Sequence, residues 1–425
     1  MDISSVVKQS TIVHIWLFCI FIISALIVTS SQCFTLVIWP FNRSWYRTIN
    51  GHLINLMWLQ VVWLTDYWSG SKVHFYGTKR FLEKVKENHS LLVVNHRQGV
   101  DWCVIWQMAE RFKMLRGAKC LMKKEIKYVP FFGWSFWLTE QLFVNRDYAK
   151  DKNSLMKQLK NITTYDFPTV TLIFCEGTRF TEEKYEKSQA FAREKGLPCL
   201  KHHLVPRTKG FNLCIEAYKG KVPFIYDATI AYQYNAQPSI YDLICGKQFD
   251  FHLYVRELPL DEVPTDSEDA TAQYCHDMYK QKDEVPTDSE DATAQYCHDM
   301  YKQKDEAYDY FLRNDTFEGY DASRPGHVPP RTLLPLVVMS SWMVVVGIPL
   351  IYYALSILLS GSTLMIIIVC GGSFAVFRFS KSLLKVTDVT RGSTYGSSKS
   401  RSSKGSEFTP NGDHIPLTNG DKKDS

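Results

Sequence analysis

The chain has 425 residues, 45% of them apolar, and a formal charge of only +5, so it is long enough for one large domain or two modest ones. The small charge argues against a nucleic-acid-binding domain, which would carry a strongly basic face. Its 11 cysteines include no C-x-x-C pair, which argues against a disulfide framework and against a structural zinc site.

An uncharged stretch near the N-terminus, residues 12–39, is long enough to cross a bilayer once. A cleaved signal peptide uses a far shorter apolar run, so the sequence predicts a retained anchor. Residues 53–68 form another apolar run with three tryptophans, which fits a helix in the membrane interface and an ordinary core helix equally well. We assign residues 1–70 to an N-terminal membrane anchor and interfacial helix.

Residues 71–260 alternate short aliphatic runs with longer mixed stretches, a pattern typical of an α/β domain whose sheet is flanked by helices. Two of the runs, LLVV (91–94) and TLIF (171–174), are followed at once by the polar clusters NHRQGVD and EGTRF. Ligand sites in open α/β sheets gather at the carboxyl ends of strands. We therefore expect both clusters at the ligand-binding edge of the sheet.

An exact duplication follows this domain, since residues 261–282 are repeated without change as residues 283–304. Two copies are too few for a solenoid, which needs about three repeats to bury a core. Each copy starts with turn-forming residues and carries six acidic residues and two lysines. We therefore predict a surface insertion at 261–304 and a connecting segment at 305–331.

A second uncharged stretch, residues 332–377, is long enough for two spans joined by a hairpin at 360–362, although one span and a re-entrant segment also fit. Basic residues follow the first uncharged stretch and flank the second on both sides. Because such residues tend to remain cytosolic, we predict a multi-pass membrane protein whose middle region is cytosolic. The tail, residues 378–425, is polar and basic, which predicts disorder. Its Lys422 and Lys423 resemble a dilysine retrieval signal of the endoplasmic reticulum.

His96 and Asp101 form an H-x4-D pair directly after LLVV. A neutral imidazole is a suitable base near pH 7, and a carboxylate on its other nitrogen fixes the tautomer and stabilises the imidazolium. A spacing of five does not place both side chains on one face of a straight helix, so the pair needs a bend, and Gly99 lies between them. Taken alone, the pair is as consistent with a loop histidine as with a general base.

Further polar motifs offer an anion-binding site. In EGTR, glycine lets the backbone approach an anion, threonine offers a hydroxyl, and arginine can pair with phosphate oxygens, while the glutamate could hold that guanidinium or accept a hydrogen bond from a glycerol hydroxyl. FVNR and VPRTKGF add three more basic side chains and a proline that stiffens the turn. The residues concerned are Glu176, Gly177, Thr178, Arg179, Arg146, Pro206, Arg207 and Lys209.

Read in order, NHRQGVD, FVNR, EGTRFT and VPRTKGF resemble the four motif blocks of the 1-acylglycerol-3-phosphate acyltransferase family, within the wider glycerolipid acyltransferases. A longer stretch, residues 76–230, is similar to the eukaryotic membrane-bound branch and includes LMKKEIKYVPFFGW. The resemblance implies a glycerolipid acyltransferase-like sheet flanked by helices, with the catalytic domain at 71–260. The uncharged stretches and the tail lie outside this match.

The resemblance also implies an activity: acyl transfer from acyl-CoA, as co-substrate, to the sn-2 hydroxyl of lysophosphatidic acid in the bilayer. His96 would be the general base and Asp101 its partner, and no cofactor or metal is expected because thiolate is a good leaving group. The residues of EGTR would bind the acceptor's phosphate, while Arg146, Arg207 and Lys209 would help to bind the acceptor or coenzyme A.

Three alternative readings remain open at this stage. The same chemistry could act on a lysophospholipid with another headgroup. A membrane-tethered hydrolase could use His96 and Asp101, although it would have no use for the basic motifs, and an inert lipid-binding scaffold would have no use for an intact catalytic pair.

Overall fold

A computed structural model describes residues 3–77, 86–145, 147–264, 289–322 and 329–386 of the chain. The N-terminal segment forms three helices, α1 (Ile3–Gln9), α2 (Thr11–Phe34) and α3 (Arg43–Trp63). The strands that follow are β1 (Lys72–Tyr76), β2 (Ser90–Val94), β3 (Ala118–Lys123), β4 (Leu142–Val144), β5 (Val170–Ile173), β6 (Phe224–Tyr232) and β7 (Asp250–Pro259).

Further helices connect and follow these strands. Between the strands lie α4 (Asp101–Arg111), α5 (Phe132–Leu138), α6 (Tyr148–Ile162), α7 (Glu182–Lys195), α8 (Thr208–Tyr218) and α9 (Ile240–Ile244). After the last strand come α10 (Ser289–Asn314), α11 (Leu334–Trp342), α12 (Ile348–Leu359) and α13 (Thr363–Val386).

The strands described form one sheet in the order β1-β7-β6-β2-β5-β3-β4. Neighbouring strands are parallel except for the pair β6 and β7, which is antiparallel. The LLVV and TLIF runs lie in β2 and β5, which pair directly. Their carboxyl ends, and the polar clusters that follow them, therefore meet at the same edge of the sheet. The α/β prediction is confirmed.

Helices cover both faces of the sheet, which explains why β2 is apolar from residue 91 to residue 94. In β2, Leu92 and Val94 belong to the core shared with α3 and α4, whereas Leu91 and Val93 belong to the core shared with α6 and α8. A strand buried on both faces cannot show the polar alternation of a half-exposed strand.

Helix α3 packs against the rest of the protein. Ile54, Met57, Trp58 and Val62 are buried in the main core. These contacts favour the core-helix reading of residues 53–68, and the interfacial helix stays a prediction.

Within the described ranges, two helical stretches, Thr11–Val37 and Leu334–Leu359, are long and apolar enough to cross a membrane. A shorter apolar helix, Thr363–Ala375, follows. The residues predicted to turn, 360–362, lie between α12 and α13, and Gly361 adopts a positive φ of 66°, which glycine reaches without strain. Of the predicted disordered tail, residues 378–386 form the end of α13, so the prediction is corrected there, and residues 387–425 lie outside the described part of the chain.

The second copy of the duplication does not form a surface insertion. Its residues from Ser289 onward build the first part of α10, where Cys297, Met300 and Tyr301 are buried against the core that includes α8. At the other side of the repeat, Val263 from the first copy is also buried. The surface-insertion prediction is corrected for 289–304, since apolar side chains every three or four residues there cover one face of the sheet. Residues 265–288 lie outside the described part of the chain.

Candidate active site

The imidazole of His96 lies just beyond the carboxyl end of β2. Its Nδ1 is 2.8 Å from Oδ2 of Asp101, the first residue of α4. Asp101 is fully buried, whereas the His96 side chain keeps 17% of its surface exposed. With Nδ1–H donated to the carboxylate, Nε2 carries the lone pair and is available to accept a proton.

Backbone and ring contacts fix the His96 loop. The Asn95 side chain donates to the carbonyl of Ile230 at 3.0 Å and accepts from its N–H at 2.7 Å, which ties the loop to β6. The His96 ring stacks on Phe174, with centroids 4.2 Å apart. The Phe180 N–H donates to the His96 carbonyl at 2.8 Å. The His96 loop is therefore held from three neighbouring segments.

Glu176 does not face the ligand space as the sequence predicted. Its side chain is buried and accepts backbone N–H bonds from His96 at 2.8 Å and from Leu204 at 3.3 Å. It therefore joins the loop after β2 to the segment before VPRTKGF, rather than binding phosphate or a glycerol hydroxyl. Burial raises the pKa of Glu176 to about 8, although the two backbone donors oppose the shift.

Gly99 lies in the bend predicted between His96 and Asp101. A Cβ at this position would lie 2.8 Å from Nη1 of Arg179, so the missing side chain makes room for the guanidinium. The arginine of EGTR thereby comes close to the H-x4-D loop.

A cavity of about 440 Å³ unites the motifs. Its lining includes predicted residues from three motifs: His96, Gly177, Thr178, Arg179 and Arg207. Apolar and aromatic side chains complete it, among them Phe21, Trp58, Trp102, Trp106, Phe132 and Phe136. Most of the lining surface is apolar, so the cavity combines cationic groups and the His96 imidazole with space for a hydrocarbon chain.

The remaining predicted residues are placed less directly. Lys209 is not among the lining residues, and its Nζ lies 4.9 Å above the Tyr148 ring. Pro206 is buried next to Arg207, whose N–H donates to the Cys175 carbonyl at 2.7 Å. Arg146 lies outside the described residues.

Two residues of the site were missed in the sequence. Lys123, the last residue of β3, lines the cavity. It stands in the LMKKEIKYVPFFGW stretch, where a basic pair at the end of an aliphatic run was the available signal. Tyr232 donates a hydrogen bond to Oδ1 of Asp101, and no local pattern reveals a partner so distant in sequence.

The chain is similar in sequence to a known protein family and to named relatives. A family model described as Acyltransferase matches residues 73–232. The human 1-acyl-sn-glycerol-3-phosphate acyltransferase delta is 33% identical over 406 residues, covering 94% of this chain and 99% of the relative. The human gamma relative is 31% identical over 400 residues, covering 93% of this chain and 98% of the relative.

The chain belongs to the 1-acylglycerol-3-phosphate acyltransferase family. The resemblance inferred from the four motif blocks is thereby confirmed, and the chain is an acyltransferase. Among solved structures, the lysophosphatidic acid acyltransferase PlsC of Thermotoga maritima matches with a TM-score of 0.34 at 14% identity, covering 61% of this chain and 95% of PlsC.

The duplication is visible against the family as well. A model described as Acyltransferase C-terminus matches twice, at residues 242–285 and again at 283–342. The two matches meet where the first copy of the repeat ends. In this member of the acyltransferase family, a unit that the C-terminal model contains is therefore present twice.

Proposed function

We propose that this acyltransferase moves an acyl group from acyl-CoA to the sn-2 hydroxyl of 1-acyl-sn-glycerol 3-phosphate, forming phosphatidic acid. The observation that carries the proposal is the His96 and Asp101 pair, 2.8 Å apart, opening into a cavity that also contains Arg179 and Arg207. The acceptor is chosen because the relatives are named for it, and a phosphomonoester needs several cationic partners.

In the proposed mechanism, Nε2 of His96 removes the proton of the acceptor hydroxyl while its oxygen attacks the thioester carbonyl. The resulting tetrahedral intermediate collapses with loss of the coenzyme A thiolate, which takes the proton from the imidazolium. Asp101 stabilises the imidazolium between these steps. General base catalysis of this kind contributes about 10² to 10⁴ in rate.

The lining of the cavity supports the division between charged and apolar parts of the substrates. Arg179, Arg207 and Lys123 would face the phosphates of the acceptor or of coenzyme A. The aromatic part, with Trp58, Phe132 and others, would receive an acyl chain. Arg146 remains a proposed ligand on the strength of the FVNR block alone.

We also propose that the enzyme resides in the endoplasmic reticulum membrane with its catalytic domain in the cytosol. The two helical stretches long enough to span support a membrane location. Basic residues that flank the uncharged stretches support the orientation, and the dilysine at Lys422 and Lys423 supports the compartment.

The test is transfer by purified protein in detergent, with acyl-CoA and lysophosphatidic acid and with mass spectrometry of the products. We expect phosphatidic acid from the wild-type protein and none from His96→Ala. The exposed histidine His52 provides a matched control, and His52→Ala should retain wild-type turnover.

Each outcome bears on a different part of the proposal. Free fatty acid without phosphatidic acid would show a hydrolase. Preferred use of a lysophospholipid with another headgroup would overturn the acceptor assignment while leaving the chemistry. Turnover by His96→Ala near the wild-type rate would refute the general base.

A further inference from the structure

Tyr232 is a buried tyrosine that the proposed chemistry does not use. It is the last residue of β6, only 2% of its surface is exposed, and its hydroxyl donates to Oδ1 of Asp101. Burial and the neighbouring carboxylate raise the pKa of Tyr232 well above its usual value, so it remains a proton donor at any working pH.

The carboxylate of Asp101 is shared between three donors. Oδ2 accepts from Nδ1 of His96 at 2.8 Å and from the N–H of Gln98 at 2.9 Å. Oδ1 accepts from Tyr232. Two donors on one oxygen leave the carboxylate free to tilt about them, whereas a third donor on the other oxygen fixes its plane.

The position of the Tyr232 hydroxyl is itself fixed. Its ring packs edge-to-face on Phe251 of β7 at 5.6 Å, and the two residues are register partners. Two residues earlier, Ile230 holds the Asn95 side chain through both of its backbone groups. The carboxyl ends of β2 and β6 are therefore held together. The Tyr232 hydroxyl at the end of β6 thus reaches Asp101, the partner of the histidine that follows β2.

We propose that Tyr232 is a positioning residue for acyl transfer, orienting Asp101 and, through it, the imidazole of His96. The inference rests on the proposed function, because it assigns Tyr232 a part in the same proton transfer. Tyr232 does not line the cavity, so it acts through Asp101 rather than on a substrate.

The Tyr232 hydroxyl also weakens the negative charge of Asp101 that acts on His96. A hydrogen bond to Oδ1 draws electron density away from the carboxylate, so its removal strengthens the attraction of Asp101 for the imidazolium. Other groups near this pair, which any variant must leave in place, are Cys103, Glu176 and Tyr308 beside Asp101 and Arg179 in the cavity with His96.

The first experiment is Tyr232→Phe, which keeps the ring and removes only the donor. We expect kcat to fall about tenfold, the effect of losing a hydrogen bond to a buried charge, while KM for both substrates is unchanged. The acidic limb of the kcat/KM profile should move to higher pH. A tyrosine with only a structural role would leave the pH profile unchanged and would not lower kcat without also changing KM.

Tyr218→Phe is the matched control. Tyr218 is equally buried and shares a hydrogen bond of 2.6 Å with the hydroxyl of Thr171, at the end of α8 remote from Arg207. This variant should lose a comparable amount of thermal stability and keep the wild-type kcat and pH profile.

A double-mutant cycle with Asp101→Asn separates the remaining outcomes. If Tyr232 acts through Asp101, Tyr232→Phe has no further effect on kcat in the Asp101→Asn background. An equal loss in both backgrounds, a change in KM alone, or a wild-type kcat in Tyr232→Phe would overturn the inference. An active His96→Ala would instead overturn the proposed function, so the two failures are distinguishable.

Discussion

Glu176 is a carboxyl group whose protonation state the fold sets. With its pKa raised to about 8 by burial, the folded protein keeps this group mostly neutral at pH 7, while the unfolded chain ionises it. Both oxygens contact backbone N–H groups that belong to the active-site loops. The residue therefore acts as a structural clamp between two motifs.

The neutral state can be imitated with an amide. We expect Glu176→Gln to keep more transfer activity at pH 7 than Glu176→Ala, because the amide oxygen can still accept from one of the two backbone N–H groups, whereas alanine accepts from neither. Steady-state rates of both variants decide the matter. Equal inactivity of the two would mean that the loops require both acceptor oxygens of the carboxyl group.

The raised pKa of Glu176 also makes the stability of the protein depend on pH. The folded protein binds a proton that the unfolded chain releases between pH 4.5 and about 8, so this group's contribution to the free energy of unfolding falls as pH rises through that window. The unfolding midpoint of the wild type relative to Glu176→Gln should therefore decrease from pH 5 to pH 8. A difference independent of pH would contradict the raised pKa.

Gly99 provides a prediction about acceptor binding. Gly99→Ala would place a Cβ within 2.8 Å of Arg179 Nη1 and displace the guanidinium. We expect KM for the lysolipid to rise several-fold with little change in kcat, since the proposed contact of Arg179 with the phosphate would stabilise the ground state and the transition state alike. Gly371→Ala, where a Cβ meets nothing within 4 Å, is the control.

At the scale of elements, helix α10 is held by buried charges. Lys304 forms an ion pair of 2.5 Å with Asp227 of β6 and donates to the Ala228 carbonyl at 2.6 Å. Arg256 of β7 also pairs with Asp227. Asp305, which follows Lys304 in α10, accepts from the backbone N–H groups of Lys201 at 2.6 Å and His202 at 2.7 Å. The helix thus secures the segment that leads into VPRTKGF.

The repeat allows the two copies to be compared within one chain. Lys304→Met should destabilise the protein by about 3 kcal/mol, because it leaves a buried carboxylate short of a partner. Lys282→Met, the same change in the first copy, should have a smaller effect, since the second copy makes the contacts described. Equal effects on the unfolding midpoint would show that the copies exchange places.

A deletion tests whether one copy is enough. Removing residues 265–286 leaves a single complete unit, composed of the start of the first copy and the end of the second. We expect unchanged transfer activity and an unfolding midpoint no lower than that of the wild type, since the buried contacts of Val263 and α10 remain. Loss of activity would show that the deleted residues contribute to the site.

Strands marked by a short aliphatic run in their own sequence are predictable from the sequence alone. The strands at LLVV and TLIF followed from short aliphatic runs, and because the two strands are neighbours, His96 and Glu176 came together as expected. The roles of Glu176 and Tyr232 depended on burial and on pairing across 80 and 131 residues. Likewise, acidic residues in the repeat concealed the buried face of α10, because a helix can be charged on one face and apolar on the other.

For the whole molecule, the catalytic domain lies against the first membrane-length helix over much of its length. The rings of Phe21 and Phe132 stack 4.9 Å apart, and the Thr29 hydroxyl donates to the Phe131 carbonyl at 2.9 Å. Both contacts fall well inside the stretch Thr11–Val37. If that stretch is in the bilayer, α5 is at the same depth.

The outer face of α5 agrees with a lipid contact. Trp134 and Trp137 are about half exposed, at 48% and 50% of their surface, and Lys127 Nζ lies 5.0 Å above the Trp137 ring. Indole rings beside basic residues are typical of membrane interfaces. The same helix turns Phe132 and Phe136 into the cavity.

Replacing both indoles tests whether they help a membrane-bound acceptor to reach the cavity, as distinct from a role in the acyl-transfer step. We expect Trp134→Ser with Trp137→Ser to reduce transfer to a long-chain lysolipid in vesicles about tenfold and to spare transfer to a short-chain acceptor dissolved as monomers. Tyr234→Ser removes an exposed ring from the loop after β6 as a control. An equal loss with both acceptors would mean that the indoles support the fold rather than the bilayer contact.

Because α5 is both a wall of the cavity and an outward-facing surface, an acceptor could reach His96 by sideways diffusion without entering water. The turnover rate would then follow the mole fraction of lysolipid in the leaflet rather than its amount per litre. Diluting the membrane with inert phospholipid at constant total lysolipid should slow the enzyme, whereas diluting the whole suspension with buffer should not.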